Sequence, residues 1–205
     1  MTTPNRALVI IDVQQEYFDG PLAIAHPPRE ESLSNILAAV DAATEAGIPI
    51  ASFAHIYPEG APVFAEGSEG QKLHPEIARR EAGEWKTATK TVASVFSESD
   101  LAEWLRSKNV DTVTLVGFMT NNCVIGTAVT AEPLGFSVEV LSDATGAINL
   151  KNAQGDVPAK AVHETLMVLL NSNFASVATT AEWTAALGNE TSLEGSNLVA
   201  SATGA

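Results

Sequence analysis

Apolar runs alternate along the chain with amphipathic segments and short polar breaks. Runs rich in Val, Ile and other apolar residues predict buried strands at 7–13, 48–54, 112–116, 136–141 and 175–178, with a short third strand inside 85–92. Apolar residues at helical spacing predict helices at 30–46, 99–108, 124–134, 158–170 and 180–187. Strands that alternate with helices predict an α/β fold, with a mainly parallel sheet in the middle layer.

The remaining segments are predicted to be loops and a tail. Residues 14–28 and 55–83 contain the prolines and glycines of loops, and the second stretch is long enough to suggest a functional loop. After residue 187 the chain becomes small and polar, which predicts a flexible tail over 188–205. We therefore expect a single domain over residues 1–187.

Composition narrows the classes of function. The chain has 205 residues, 45% of them hydrophobic, and a formal charge of −14. That length suffices for one domain with a substantial core. Such an acidic chain offers no basic face for nucleic acid, and no apolar run reaches the length of a membrane span. A single cysteine cannot form an internal disulfide, so we expect a cytoplasmic location.

The single cysteine, Cys123, lies where a predicted strand turns into a helix. Thr120, Asn121 and Asn122 are residue types that cap helix starts. The positive end of the helix dipole and the free N–H groups there favour the thiolate, which is the nucleophilic form of cysteine. The alternative is an inert cysteine that packs as a small hydrophobic residue.

Two further residues carry charge near predicted strand ends. Asp12 follows an apolar run, where a carboxylate is costly unless it is paired or functional; capping the next turn is the alternative. Lys90 lies in the stretch 85–92 that contains the short third strand, and Lys86 in the same stretch is a rival for its role. A carboxylate can deprotonate a thiol, and a lysine beside both can hold the carboxylate ionised. Because ligands of open α/β sheets bind at the carboxyl ends of the strands, these groups predict a site there.

Five segments in order resemble the isochorismatase-like cysteine hydrolases, which include nicotinamidases and N-carbamoylsarcosine amidohydrolase. The segments are ALVIIDVQQEYF at 7–18, KTVASVF at 90–96, VGFMTNNCV at 116–124, SDATGA at 142–147 and VHETLMVLL at 162–170. The resemblance covers roughly residues 6–187 and implies a six-stranded sheet in the order 3-2-1-4-5-6. It also implies a catalytic triad of Asp12, Lys90 and Cys123, and the four-residue gap from Lys90 to Ser94 favours Lys90 over Lys86.

The resemblance implies further features of the site and the assembly. A cis peptide bond between Phe118 and Met119 is expected to aim the Met119 and Cys123 N–H groups at an oxyanion. The family forms homo-oligomers, and apolar loop residues are candidates for that interface: Val63, Phe64 and Leu73. Segments that flank the expected crevice supply candidate substrate contacts: Phe18, His55, Tyr57, Trp85, Phe118 and Thr120.

No metal or other cofactor is expected. Nicotinamidases bind a metal through an Asp-x-His pair and a further histidine, whereas this chain reads SFAHIYPEG at 52–60 and lacks that pair. His26, His55, His74 and His163 each stand alone in sequence, and zinc sites need a cluster. For His163 packing or capping is the expected role. The alternative is a zinc held by His55 with a loop carboxylate such as Glu59 or Glu66.

Together with the resemblance, the candidate triad of Asp12, Lys90 and Cys123 predicts a hydrolase. We expect it to cleave the C–N bond of a small amide, carbamoyl or ureido substrate through a thioester. Vinyl-ether hydrolysis is an alternative, but the isochorismatases that perform it lack the cysteine. A redox thiol and a catalytically silent binding protein are two further hypotheses. The absence of a resolving cysteine weighs against the redox thiol.

Overall fold

The computed structural model describes residues 3–81 and 83–204. The strands are β1 Arg6–Ile11, β2 Ile50–His55, β3 Lys86–Lys90, β4 Thr112–Phe118, β5 Ser137–Gly146, β6 Leu150–Asn152, β7 Gly155–Val157 and β8 Ser176–Ala178. The helices are α1 Arg29–Glu45, α2 Pro75–Arg80, α3 Leu101–Ser107, α4 Ile125–Ala131, α5 Ala159–Leu169, α6 Thr180–Gly188 and α7 Leu198–Thr203. None of these helices has the length and apolar character needed to cross a bilayer.

Six of the strands form one parallel sheet in the order β3-β2-β1-β4-β5-β8. The predicted α/β class and strand order are confirmed, with β8 in the sixth place. The two extra strands, β6 and β7, pair as a small antiparallel hairpin outside the sheet. The sequence analysis assigned this stretch to a loop, because each strand has only three, mostly exposed residues and gives no apolar run.

The sheet is covered on both faces. Side chains of β1 alternate between two cores: Leu8 and Ile10 face α1 and α6, whereas Val9 and Ile11 face the side of α3, α4 and α5. This period of two explains why β1 is apolar at every position after Arg6, since a central strand with two covered faces has no solvent side. The arrangement is the expected three-layer α/β/α sandwich.

Two predicted irregular segments contain regular structure. The loop at 55–83 includes α2, whose start is capped by the His74 side chain, which accepts a hydrogen bond from the Glu76 N–H at 3.2 Å. The predicted flexible tail includes α7, which begins at an Asn197 cap. The Thr191 carbonyl of that tail accepts a hydrogen bond of 2.7 Å from Arg6 at the start of β1. The contact between Arg6 and Thr191 joins segments far apart in the chain, so the local composition of the tail could not reveal it.

Candidate active site

Four neighbouring strands end at the place where the candidate residues meet. Asp12 follows β1, and His55 and Lys90 are paired residues at the ends of β2 and β3. Cys123 lies in a wide helical turn, Thr120–Val124, that connects β4 to α4. Parallel strands place their carboxyl ends on one edge of the sheet, so residues from distant parts of the chain converge there.

The backbone brings the ends of β1 and β4 especially close. Gly117 has φ +104° and lies so near β1 that a Cβ atom there would collide with the Ile11 carbonyl oxygen. Asp12 itself has φ 49°, in the left-handed region that non-glycine residues seldom adopt. Such residues cluster at functional sites, because the surrounding structure must hold them in place.

The Lys90 ammonium group is the centre of the cluster. Its Nζ donates to Asp12 Oδ2 at 2.6 Å, to Cys123 Sγ at 3.2 Å and to the Val92 carbonyl at 3.2 Å. It also lies 3.1 Å from His55 Nδ1. The Asp12 and Lys90 side chains have no exposed surface, and Cys123 is 1% exposed. The structure thus brings together the three residues that the sequence singles out.

Lys86, the rival lysine, lies elsewhere. Its Nζ contacts Asp100 Oδ1 at 2.5 Å, and the Asp100 side chain is 64% exposed. Lys86 begins β3 and Lys90 ends it, so the length of the strand separates Lys86 from Asp12. The structure therefore selects Lys90 for the cluster.

Burial decides the protonation state of the cysteine. It raises the pKa of the Cys123 thiol to about 12, with the Asp12 charge acting in the same direction and Lys90 opposing it. Burial also raises the pKa of Asp12, and the Lys90 charge offsets part of that effect. The helix start favours the thiolate, as expected, whereas removal from water favours the thiol, and burial is the largest cause of the raised pKa. Cys123 rests as a thiol beside its base.

His55 is a neutral member of the cluster. Burial, and secondarily the Lys90 charge, lowers its pKa to about 4. Its Nδ1 lies within hydrogen-bond distance of the Lys90 ammonium, and a neutral ring carries a proton on only one of its two nitrogens. Among the described residues, His55 Nε2 and Asp12 Oδ1 are buried without a hydrogen-bond partner.

The turn after β4 supplies a backbone donor. The Phe118–Met119 peptide bond is cis, as the resemblance implied. No acceptor for the Met119 N–H is found among the described residues. A free N–H one turn before the thiol is suited to a substrate oxygen.

Aromatic rings form a layer over the cluster. The ring of His55 lies 4.6 Å from Tyr57 and 5.2 Å from Phe64, and Tyr17 lies 5.3 Å from Phe64 and 5.6 Å from Phe118. Burial, with the charge of Asp12 as a further cause, raises the pKa of Tyr17 well above its usual value. Tyr17 is 1% exposed and Phe64 3%, so these rings are packed in the interior beside His55.

The remaining candidate substrate contacts divide into two groups. Phe18 packs on Phe118 at 5.8 Å, and Thr120 on the turn itself hydrogen-bonds His163 Nδ1 at 3.0 Å. Trp85 is far from them: it precedes β3 and lies in a groove with Ile50 and Trp104, at the amino ends of the strands. Its assignment as a substrate contact is wrong, because about 16 Å of strand separates it from Lys90.

Three residues that the sequence analysis did not assign to the site lie next to it: Tyr17, Phe64 and His163. Tyr17 belongs to the QQEYF run directly after Asp12, and this proximity in sequence was the available signal. Phe64 was an interface candidate, but it is 3% exposed and offers no free surface. Its contact with His55 joins a loop to a strand end, which no local pattern reports.

The two buried histidines predict acid sensitivity. Burial lowers the pKa of His163, like that of His55, to about 4, and the His26 charge contributes. Between about pH 6.5 and pH 4 the unfolded chain binds protons that the folded chain does not, so the free energy of unfolding falls as the pH falls. We expect each histidine to contribute about 1–3 kcal/mol to this loss. Urea titrations at pH 7 and pH 4.5 measure it.

The matched variant for this prediction is His163→Gln, which keeps a polar partner for Thr120 but does not titrate. It should lose less stability than the wild type between pH 7 and pH 4.5. Equal losses in the two proteins would contradict the low pKa of His163.

The site also contains a set of metal-ligand types. One ligand atom each from Asp12, His55 and Cys123 lies within 4.8 Å of the others. The ammonium of Lys90 contacts all three and already supplies the positive charge that a metal ion would bring. At the position where nicotinamidases carry the aspartate of Asp-x-His stands Phe53, which is buried in the apolar core. These residues do not fit a metal ion.

Comparisons with known proteins agree with the fold. The isochorismatase domain model matches residues 6–182. A crystal structure from Burkholderia xenovorans, assigned to the isochorismatases, is 42% identical, with a TM-score of 0.96 over 99% of this chain and 97% of that one.

Two curated relatives extend the comparison. The secreted isochorismatase effector Isc1 of Verticillium dahliae is 34% identical over 71% of this chain and 74% of its own length. The nicotinamidase/pyrazinamidase of Mycobacterium tuberculosis is 31% identical over 70% of this chain and 88% of its own. Since the domain model spans all the strand ends that build the cluster, the chain belongs to the isochorismatase family of hydrolases.

Proposed function

We propose that this hydrolase cleaves the C–N bond of a small amide, carbamoyl or ureido substrate through a thioester on Cys123. The observation that carries the proposal is the contact of one buried ammonium group, on Lys90, with both a carboxylate and a thiol. A carboxylate next to a cysteine can take the proton of the thiol, and the lysine limits the negative charge that results. The nicotinamidase relative, named for amide hydrolysis, supports the same bond class.

The acylation step follows from the resting state. Cys123 is a thiol in the free protein, so its proton moves to Asp12 as the sulfur attacks the carbonyl carbon, and no free thiolate need accumulate. The N–H groups of Met119 and Cys123 hold the developing oxyanion. When the C–N bond breaks, Asp12 returns the proton to the leaving nitrogen, and ammonia or an amine departs.

The second step regenerates the cysteine. Asp12, again a carboxylate, takes a proton from a water molecule as that water attacks the thioester carbonyl. The C–S bond breaks, the carboxylic or carbamic acid leaves, and the proton on Asp12 returns to the sulfur. Lys90 stays protonated throughout and keeps Asp12 oriented.

A panel of small primary amides and ureido acids, assayed for ammonia release, tests the proposal. Acid quenching during turnover, followed by mass spectrometry of the peptide that contains Cys123, should detect the acyl group. Because this is the only cysteine in the chain, the adduct can be assigned without ambiguity. Turnover without any Cys123 adduct, and undiminished in Cys123→Ala, would refute covalent catalysis.

We expect activity to be independent of metal ions. The ammonium of Lys90 occupies the centre of the candidate ligand set, and thiol attack needs no metal-activated water. Dialysis against a chelator, followed by metal analysis and the ammonia assay, should leave the rate unchanged. A loss of activity that added zinc or iron restores would contradict this prediction.

A further inference from the structure

A cavity of about 490 Å³ lies beside the buried cluster, between the segment after β1 and the long loop after β2. Its lining comes from 15–21 on one side and 61–70 on the other. Phe64 lines it, and the centroid of the same ring lies 5.2 Å from that of His55 and 5.3 Å from that of Tyr17. Phe64 therefore joins the cavity to His55, which contacts Lys90.

The ionisable side chains that line this cavity are all acidic. Its lining includes three carboxyl side chains, on Glu16, Asp19 and Glu69, and no lysine, arginine or histidine. Only Glu69 forms an ion pair with a basic residue of the described chain, Lys72, and that pair is largely exposed.

Glu16 is buried in the wall of the cavity. It is 4% exposed, its Oε1 has no hydrogen-bond partner in the described chain, and its Oε2 has only the Phe64 N–H at 3.4 Å. The two carboxyl oxygens lie against Gly20 and Gly70, which line the same cavity. Glu16 therefore places an unpaired carboxyl oxygen in the wall, and the exposed carboxylates of Asp19 and Glu69 give the cavity a negative potential.

We propose that this cavity is the entrance to the Cys123 site and that it holds the non-reacting end of the substrate. Its charge selects neutral or cationic amides and rejects amides that carry a carboxylate. An apolar wall formed by Pro62, Val63 and Phe64 suits the carbon chain of such a substrate. This inference names the substrate class of the proposed function and rests on it for the hydrolysis step.

The first experiment needs no turnover. Cys123, the single cysteine, is labelled with three methanethiosulfonates that differ in charge: aminoethyl (cationic), methyl (neutral) and sulfonatoethyl (anionic). Each rate is divided by the rate with a small free thiol. We expect the cation-to-anion ratio to exceed that of the free thiol by about tenfold at low salt and to fall as salt is added.

Two variants, each of which removes one negative charge, test whether the cavity causes this preference for the cationic reagent. Asp19→Asn removes an exposed carboxylate of the cavity and should lower the cation-to-anion ratio by about two- to fivefold. Glu45→Gln is the control: it makes the same change in net charge on an exposed residue at the end of α1. Because α1 leads into the amino end of β2, away from the cavity, this variant should leave the cation-to-anion ratio unchanged. Equal effects of the two variants, a preference for the anionic reagent, or no labelling by any reagent would each overturn the inference.

A series of amides of similar size but different charge then tests whether the same charge preference is found in hydrolysis. The series is 4-aminobutanamide (cationic), butanamide (neutral) and succinamate (anionic), and we expect kcat/KM to fall in that order. In Asp19→Asn the differences in kcat/KM among the three amides should be smaller. Fastest hydrolysis of succinamate would overturn the charge selection but leave the proposed hydrolase intact. Charge-selective labelling with no hydrolysis of any amide would instead overturn the proposed function and the amide class named here.

Discussion

Replacing Cys123 with alanine is expected to lower the rate of amide hydrolysis by at least about 10⁴-fold, because no other residue of the cluster can form the thioester. The variant should fold normally, since Cys123 is a small buried residue that packs among apolar side chains. Ammonia release under substrate saturation measures the loss, and circular dichroism with urea titration checks the fold.

Asp12→Asn is the companion variant. It keeps the shape of the side chain but removes the base, so its rate should fall nearly as far. Because the residues act as a unit, the double variant should be scarcely slower than either single variant. Additive losses, or residual activity of more than about 1% in Cys123→Ala, would show that the thiol and the carboxylate do not act in one step.

Replacing Lys90 with methionine is expected to harm both catalysis and stability. It leaves Asp12 buried without its cationic partner, at a cost of about 3–5 kcal/mol in the free energy of unfolding if the carboxyl group stays ionised. Proton uptake by Asp12 relieves part of that cost, and a protonated Asp12 cannot accept the thiol proton. We therefore expect loss of turnover together with a destabilisation that becomes smaller as the pH is lowered.

Lys86→Met is the matched control on the same strand. Lys86 pairs with the exposed Asp100 at the surface, where ion pairs contribute about 0–1 kcal/mol. Urea titrations from pH 5 to pH 8 and the ammonia assay compare the two variants. Similar effects of Lys86→Met and Lys90→Met on either measurement would contradict the assignment of Lys90 to the site.

The three residues of the buried cluster could be named from the sequence. Asp12 and Cys123 each follow an apolar run, and Lys90 opens a segment that resembles the family pattern. The sheet order then brings the ends of β1 and β4 side by side, with Gly117 at their close approach. The surrounding contacts were less readable: Trp85 was assigned to the wrong end of β3, and Phe64 to a surface patch although it is buried.

The sequence by itself determined the alternation of strands and helices, because apolar periodicity records which faces of a segment are buried. It also marked Asp12 as a candidate for the chemistry, since it is a charged residue directly after a run, 7–11, that contains no other charge. Only the tertiary structure decided the state of those groups. The pKa of Cys123 near 12, the neutral His55 and the acidic cavity beyond Phe64 arise where distant segments together exclude water. Solvation and long-range packing are properties of the assembled fold, and no local pattern of residues encodes them.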